Sequence, residues 1–214
     1  MVEEAGVLGE VQGAMSGGPA AEWRRLCLLS GNPHKLLEMS TVARSMGWTI
    51  TPCGGARKLE VQSDSLEEIA LRAAVAAGVP GSIVEDSGLF VRALRGFPGP
   101  YSSYVYSTLG VEGLLKLMEG VEDRSAYFES AMAYTDALGR VRVFTGRVYG
   151  VIAEEPAGRG GFGFDPIFIP AGYSSAFAEM GLEKKSWASH RGAAISKLLR
   201  WLEMYCPGHC AQTL

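Results

Sequence analysis

The chain has 214 residues, 47% of them hydrophobic and 20% charged, with a formal net charge of −3 at pH 7. That length and balance describe one ordinary folded domain, or two small lobes sharing a core, and exclude a disordered chain. The mild acidity, with a pI near 5.7, excludes a broad polyanion-binding face such as a duplex coat. It leaves room for a local phosphate pocket made of one or two cations and backbone N–H groups.

No apolar run approaches the ~20 residues needed to span a bilayer. Glu3 and Glu4 stand where a secretory signal would carry basic residues. The expectation is a cytoplasmic protein with neither a membrane nor a nucleic-acid polymer as partner. Residues 1–23 are rich in Gly and Ala, include Gly17-Gly18-Pro19, and lack periodicity. They predict a flexible extension, with Met15 as an alternative initiator. The domain is expected over 24–206 and a short tail over 207–214. Cys27, inside Leu26-Cys27-Leu28-Leu29, reads as a small core hydrophobe. Cys206, His209 and Cys210 cluster in sequence. A zinc site would need a second ligand pair, and only Cys53 remains to help, so they read as a redox-active or incidental tail pair.

The apolar run Leu26–Leu29 predicts a buried strand, broken by Ser30-Gly31-Asn32. Pro33 fits the first position of a helix with Asn32 as its N-cap. Leu36, Met39, Ala43 and Met46 give that helix one apolar face. Gly47 ends it, and Trp48–Thr51 resumes an extended pattern. A second helix is expected after Asp64 as cap, with Glu67 at the capping-box position. Its face is Leu66, Ile69, Ala70 and Ala73, and Gly78 and Pro80 stop it. Ile83-Val84 predicts a strand ending at Glu85-Asp86-Ser87-Gly88. A short helix spans Val111–Met118. Strands at Ala126–Tyr134 and Val141–Val151 are joined by a hairpin loop over Asp136–Arg140. A glycine-rich loop, Arg159–Gly163, precedes a strand at Ile167–Ile169. The last long helix carries Ala194, Leu198, Trp201, Leu202 and Tyr205 on one face. A β-α-β opening followed by an antiparallel hairpin predicts an α/β fold with a mixed sheet.

Four segments carry chemistry. Ser30-Gly31-Asn32-Pro33-His34-Lys35 lies between a strand and a helix, where unpaired N–H groups and a lysine suit a phosphate. The Walker A spacing is absent, and Asn-Pro is also a plain helix cap. Glu85-Asp86-Ser87-Gly88 follows a strand, where ligands of α/β sheets gather. Alternation points Glu85 and Asp86 opposite ways, so one of them is expected to face a given site. A carboxylate there suits Mg²⁺ or proton abstraction from water, while Asp-Ser-Gly reads equally as a turn. Gly160-Gly161-Phe162-Gly163-Phe164-Asp165-Pro166 joins bare backbone to two rings, suited to a flat ligand or simply to a core loop. Lys185 and Ser189-His190-Arg191 fall near the start of the last helix. No nucleophile elbow accompanies His190. Phosphate grips, a metal carboxylate, a stacking ring and polar groups for a base edge together suggest a nucleotide.

In order along the chain stand Ser30-Gly31-Asn32 with Lys35, then Glu85-Asp86-Ser87-Gly88-Leu89, then Ala93-Leu94-Arg95-Gly96-Phe97-Pro98-Gly99-Pro100-Tyr101. Phe162-Gly163-Phe164-Asp165-Pro166 and Ser189-His190-Arg191 follow. This series resembles the inosine triphosphate pyrophosphatase family, from about residue 26 to the last helix. The resemblance implies an elongated α/β domain with a mixed sheet, two lobes around a nucleotide cleft, and a homodimer. It implies hydrolysis of ITP, dITP and XTP to the monophosphate and pyrophosphate, with Mg²⁺. Residues Ser30 to Lys35 would grip the triphosphate, and Asp86 would hold Mg²⁺ and activate water. Glu60 would be the second metal carboxylate, and Ser87 would contact the substrate. Phe162 would stack on the base in the loop of Gly163, Phe164 and Asp165, and Lys185, His190 and Arg191 would complete the contacts. Many relatives carry a lysine where this chain has Ala73; Arg72 beside it lies on another helical azimuth. A pyrophosphatase for other modified nucleotides, as in the Maf-like hydrolases, and a non-hydrolysing nucleotide-binding regulator are the alternatives.

Overall fold

A computed structural model describes residues 24–55 and 58–205. The expected N-terminal extension and the Cys206–His209–Cys210 cluster lie outside the described residues. The elements run β1 (Arg25–Leu29), α1 (Pro33–Ser45), β2 (Thr49–Pro52), α2 (Leu66–Ala77), β3 (Ser82–Val91) and β4 (Pro98–Gly99). They continue with α3 (Ser102–Thr108), α4 (Gly110–Leu117), β5 (Ser125–Thr135), β6 (Val141–Ile152), β7 (Phe168–Pro170), α5 (Leu182–Ala188) and α6 (His190–Tyr205). Single 3₁₀ turns lie at Arg92–Leu94, Asp165–Ile167 and Phe177–Glu179.

One mixed sheet has the order β2-β1-β3-β5-β6-β7, with β4 paired to β3. β1 is parallel to β2 and β3, and the remaining pairs are antiparallel. The expected mixed α/β fold is therefore present. The long strands β3 and β5 serve two hydrophobic cores. Their Ile83, Met132 and Tyr134 pack with α1 and α6 around Met39, Trp48 and Leu198. Leu89, Val91, Ala126 and Phe128 pack at the other end with Leu114, Phe168 and Phe177. A third cluster seats α2 on the sheet through Leu66, Ala70, Ala73 and Ala74. Two lobes thus share two strands, and the middle of β3 lies between them.

Several expectations are corrected. β3 does not end at Glu85: it continues to Val91, and Glu85–Gly88 is strand rather than turn. Its whole length is paired with β5, from Ile83↔Tyr134 to Val91↔Ala126, and this ladder outweighs the local turn preference of Asp-Ser-Gly. Helix α2 is capped by Ser65, whose hydroxyl accepts the Glu68 N–H at 3.2 Å, and not by Asp64. Helix α3 was not expected. Its Ser/Tyr/Thr-rich sequence buries only Ser102 and Val105, too little for a visible 3.6-residue stripe. Lys185 sits on a separate helix, α5, since Ser189 breaks the chain before α6. The Ser189 hydroxyl accepts the Gly192 N–H at 3.0 Å.

Cys27 is buried, as a core hydrophobe would be, but it is disulfide-bonded to Cys53. The parallel β1–β2 pairing brings the two together, and Cys53 N–H donates to Leu28 C=O at 3.0 Å. Closing a loop of this length destabilises the unfolded chain by about 3.5 kcal/mol in the chain-entropy account. No helix among the described residues is long and apolar enough to cross a membrane.

Candidate active site

The cavity follows from how β3 is covered. On one edge β3 pairs with β1 as far as Leu29↔Val84, and with β4 from Leu89↔Gly99 onward. Residues 85–88 lie in the gap between those partners. Gly88 is required for the approach of β4, because a Cβ there would stand 2.1 Å from the Gly99 carbonyl oxygen. A cavity of about 710 Å³ fills the gap, a size suited to a small ligand. Its walls come from the β1–α1 turn (Ser30 to Lys35), from Lys58 and Glu60, from Glu85 to Gly88, from Ser102, Ser103 and Tyr106, and from the 161–165 loop with Arg191.

Glu85 and Asp86 both line this cavity, contrary to the expectation that one would turn away. The cavity wraps around an uncovered strand edge, so it reaches side chains of both faces.

The β1–α1 turn is built as its sequence predicts. Asn32 Oδ1 accepts the N–H of His34 at 2.9 Å and of Lys35 at 3.4 Å, and Pro33 occupies the first turn. Pro33 shapes the turn but does not line the cavity. A Cβ added to Gly31 would meet open space, so this residue leaves a bare backbone surface on the cavity.

Lys35 Nζ lies 2.8 Å from Glu85 Oε2. Glu85 is fully buried, which disfavours its charge, but Lys35 and Arg191 outweigh burial and hold its carboxyl far below the usual range. Arg191 also donates to Ser87 Oγ at 2.7 Å. Asp86 shifts the other way. Burial raises its pKa against the opposing charges of Lys58 and Lys35, and Glu85 adds to the rise. A carboxylate with a raised pKa, facing a cavity, is the profile of a general base.

Sequence reasoning missed Glu38. It sits one turn after Lys35 on α1, is 3% exposed, and bridges Lys185 and Arg191. Lys185 also pairs with Asp165, whose pKa burial raises although the lysine opposes it. Asp165 Oδ2 in turn accepts the Phe162 N–H at 2.6 Å. Gly161 is needed here: its φ is +71° and a Cβ would meet Asp165 Oδ2 at 2.2 Å. The one signal for Glu38 was a charged residue on the otherwise apolar inner face of α1.

Phe162 is half-buried on the cavity, with His34 stacked at 5.1 Å and Arg191 over its ring at 4.8 Å. Phe164 borders the cavity but belongs to the second core, 2% exposed and edge-on to Tyr106. Lys185 and His190 lie beneath the lining. His190 stacks on Phe128 at 4.8 Å, and neither ring nitrogen has a hydrogen-bond partner. Burial, reinforced by Arg191, pushes its pKa well below the usual value and keeps the imidazole neutral.

In and under the cavity, Lys35, Lys58, Lys185 and Arg191 meet Glu38, Glu60, Glu85, Asp86 and Asp165. Four cations against five carboxylates leave no surplus positive charge for a polyphosphate. A polyanion would have to bring a cation with it. Asp86 and Glu60 are hard oxygen donors that both line the cavity. Among the described residues no group of three or more His, Cys, Asp or Glu forms a ready-made metal cage. Two carboxylates, with water and substrate phosphates completing the shell, fit Mg²⁺ and its reluctance to lose water.

Arg72 pairs with Glu68 on the exposed side of α2 and does not line the cavity, while Ala73 is fully buried. The cation near Asp86 is instead Lys58, at 3.5 Å from Oδ2, a residue that sequence reasoning also missed.

Comparison with known proteins agrees with this architecture. A dITP/XTP pyrophosphatase of Hyperthermus butylicus is 52% identical over 189 residues, covering 87% of this chain and 98% of that protein. One from Ignicoccus hospitalis is 50% identical over 183 residues, covering 84% and 97%. The solved structure of a HAM1 protein from Coxiella burnetii matches with a TM-score of 0.73 at 30% identity, over 84% of this chain and 98% of that one. A nucleoside-triphosphatase / dITP/XTP pyrophosphatase from Mycobacterium abscessus matches with a TM-score of 0.62 at 34% identity, over 82% and 98%. The Ham1 family model matches residues 26–201. That span holds every segment that walls the cavity, and the chain belongs to the Ham1 family.

Proposed function

We propose that the chain hydrolyses non-canonical purine nucleoside triphosphates, ITP, dITP and XTP, to the nucleoside monophosphate and pyrophosphate. The observation that carries this reading is the cavity itself. It brings Asp86 and the cations Lys35 and Lys58 together with a ring, Phe162, flanked by Arg191 and Lys185.

The Ser30–Lys35 turn binds the polyphosphate through N–H groups and the Lys35 ammonium. Asp86 and Glu60 would hold Mg²⁺, which when bound would neutralise phosphate charge and polarise the phosphoryl group. Asp86 accepts a proton from water as the water oxygen bonds to the α-phosphorus. The bond from that phosphorus to the bridging oxygen breaks, and pyrophosphate leaves. Lys35 stabilises charge on the oxygens during this step. Phe162 stacks on the base, and Asp165, by holding the Phe162 N–H and Lys185, positions the loop. Arg191 supplies polar groups to the base, with His190 packed beneath the lining behind it, and Ser87 contacts the substrate.

A 6-oxo purine accepts a hydrogen bond where adenine donates one. A buried group left unpaired costs about 1–3 kcal/mol, or roughly 5- to 150-fold per misfit. ITP and XTP are therefore expected to exceed ATP in kcat/KM; guanine shares the 6-oxo group, but its 2-amino group would clash or stay unpaired at C2, which is expected to place GTP between them. Steady-state assays of the four at equal Mg²⁺, with products resolved by anion chromatography and no added pyrophosphatase, test this. Stepwise orthophosphate release, or equal values for ITP and ATP, would refute it. The resemblance also implies a homodimer, for which exposed Tyr149 and Val151 on β6 offer an apolar face; light scattering reads the mass.

A further inference from the structure

Lys58 differs from the other cations of the cavity. Lys35, Lys185 and Arg191 are each tied to carboxylates that are themselves nine-tenths or more buried: Glu85, Glu38 and Asp165. The Lys185 pairs tie α1 to the 161–165 loop, and separating any of these pairs would leave buried charges uncompensated. Among the described residues Lys58 has one ion-pair partner, Asp86, at the looser distance of 3.5 Å. Its side chain is 15% exposed, on the segment leading from β2 to α2 and two residues before Glu60. It lines the cavity directly. Helix α2 brings no cation to this wall, since Arg72 faces Glu68.

We propose that Lys58 is a polyphosphate-binding residue held in place by Asp86 until the site is loaded. The inference rests on the reading of Asp86 as a metal carboxylate. Without a bound cation the ammonium partly neutralises Asp86. With a divalent cation on that carboxylate, two positive charges contend for one anion, and the weaker, more distant partner is displaced. Lysine is a compact charge on a flexible four-carbon stem, so it reaches the new anion, the phosphate chain, without backbone movement. One residue thus acts in opposite senses: it competes with metal in the nucleotide-free protein and adds a charge-assisted hydrogen bond to the bound triphosphate.

The test is calorimetry on the full chain carrying Lys58→Met, which keeps the stem and removes the charge, and Lys58→Arg, which keeps the charge. The titrants are Mn²⁺ alone, then an α,β-methylene analogue of ITP and IMP, each with Mg²⁺. Lys58→Met is expected to bind Mn²⁺ alone at least about 3-fold more tightly, by loss of a competing charge. It should bind the triphosphate analogue about 10-fold or more weakly, by loss of a charge-assisted bond, with IMP changed less than about 2-fold. Lys58→Arg should stay near wild type for the analogue. Unchanged Mn²⁺ and analogue affinities in Lys58→Met would overturn the proposal. So would equal weakening of IMP and the analogue, which marks a structural role. If the wild-type protein binds neither Mn²⁺ nor the analogue, the pyrophosphatase reading itself fails.

Discussion

Glu38 offers the sharpest check on the charge network beneath the cavity. Its two oxygens serve different cations: Oε1 bonds Lys185 and Oε2 lies 3.2 Å from Arg191, and all three residues are buried. In Glu38→Gln the volume is kept, but one of those oxygens becomes an NH₂ that faces a cation. Breaking a buried ion pair on one side costs about 3–5 kcal/mol, most of it the uncompensated charge left behind. Here Lys185 keeps Asp165 and Arg191 keeps Glu85. The loss should therefore fall near the lower figure, about 3 kcal/mol. Guanidinium unfolding followed by circular dichroism reads this as a lower midpoint at unchanged m. The kcat/KM for ITP should fall as well, since both cations lie over the Phe162 ring. A stability change under about 0.5 kcal/mol, the range of an ordinary surface substitution, would show that Glu38 does not hold the cluster.

Asp86→Asn should keep its fold and lose at least about 10² in turnover, since one group carries both base and metal roles; a soluble variant with near wild-type turnover refutes the assignment. Because burial raises the Asp86 pKa in the metal-free protein, protons should compete with Mn²⁺ for that carboxylate, and Mn²⁺ affinity should fall as pH drops through a value above the ordinary carboxylate range. A Mn²⁺ affinity unchanged down to pH 4 would contradict this.

Much of the local structure was determined by the sequence itself, although the Ser65 cap and helix α3 were not. Asn32 and Pro33 start α1 because cap geometry involves only neighbouring residues. The β5–β6 hairpin and the last helix follow from short-range period and turn chemistry. The ordered motifs were legible as a candidate nucleotide site because each contributes one chemical function whatever the fold does. What depended on packing was not legible. The strand character of Glu85–Gly88 comes from the β5 ladder, and the cavity comes from the gap between β1 and β4 on one edge of β3. Cys27 meets Cys53 through a parallel pairing across 26 residues. Glu38 faces Lys185 and Arg191, 147 and 153 residues away, and Lys58 faces Asp86. A charge in sequence carries no mark of its partner. Coulomb attraction acts through space, and only the tertiary structure decides which charges share that space.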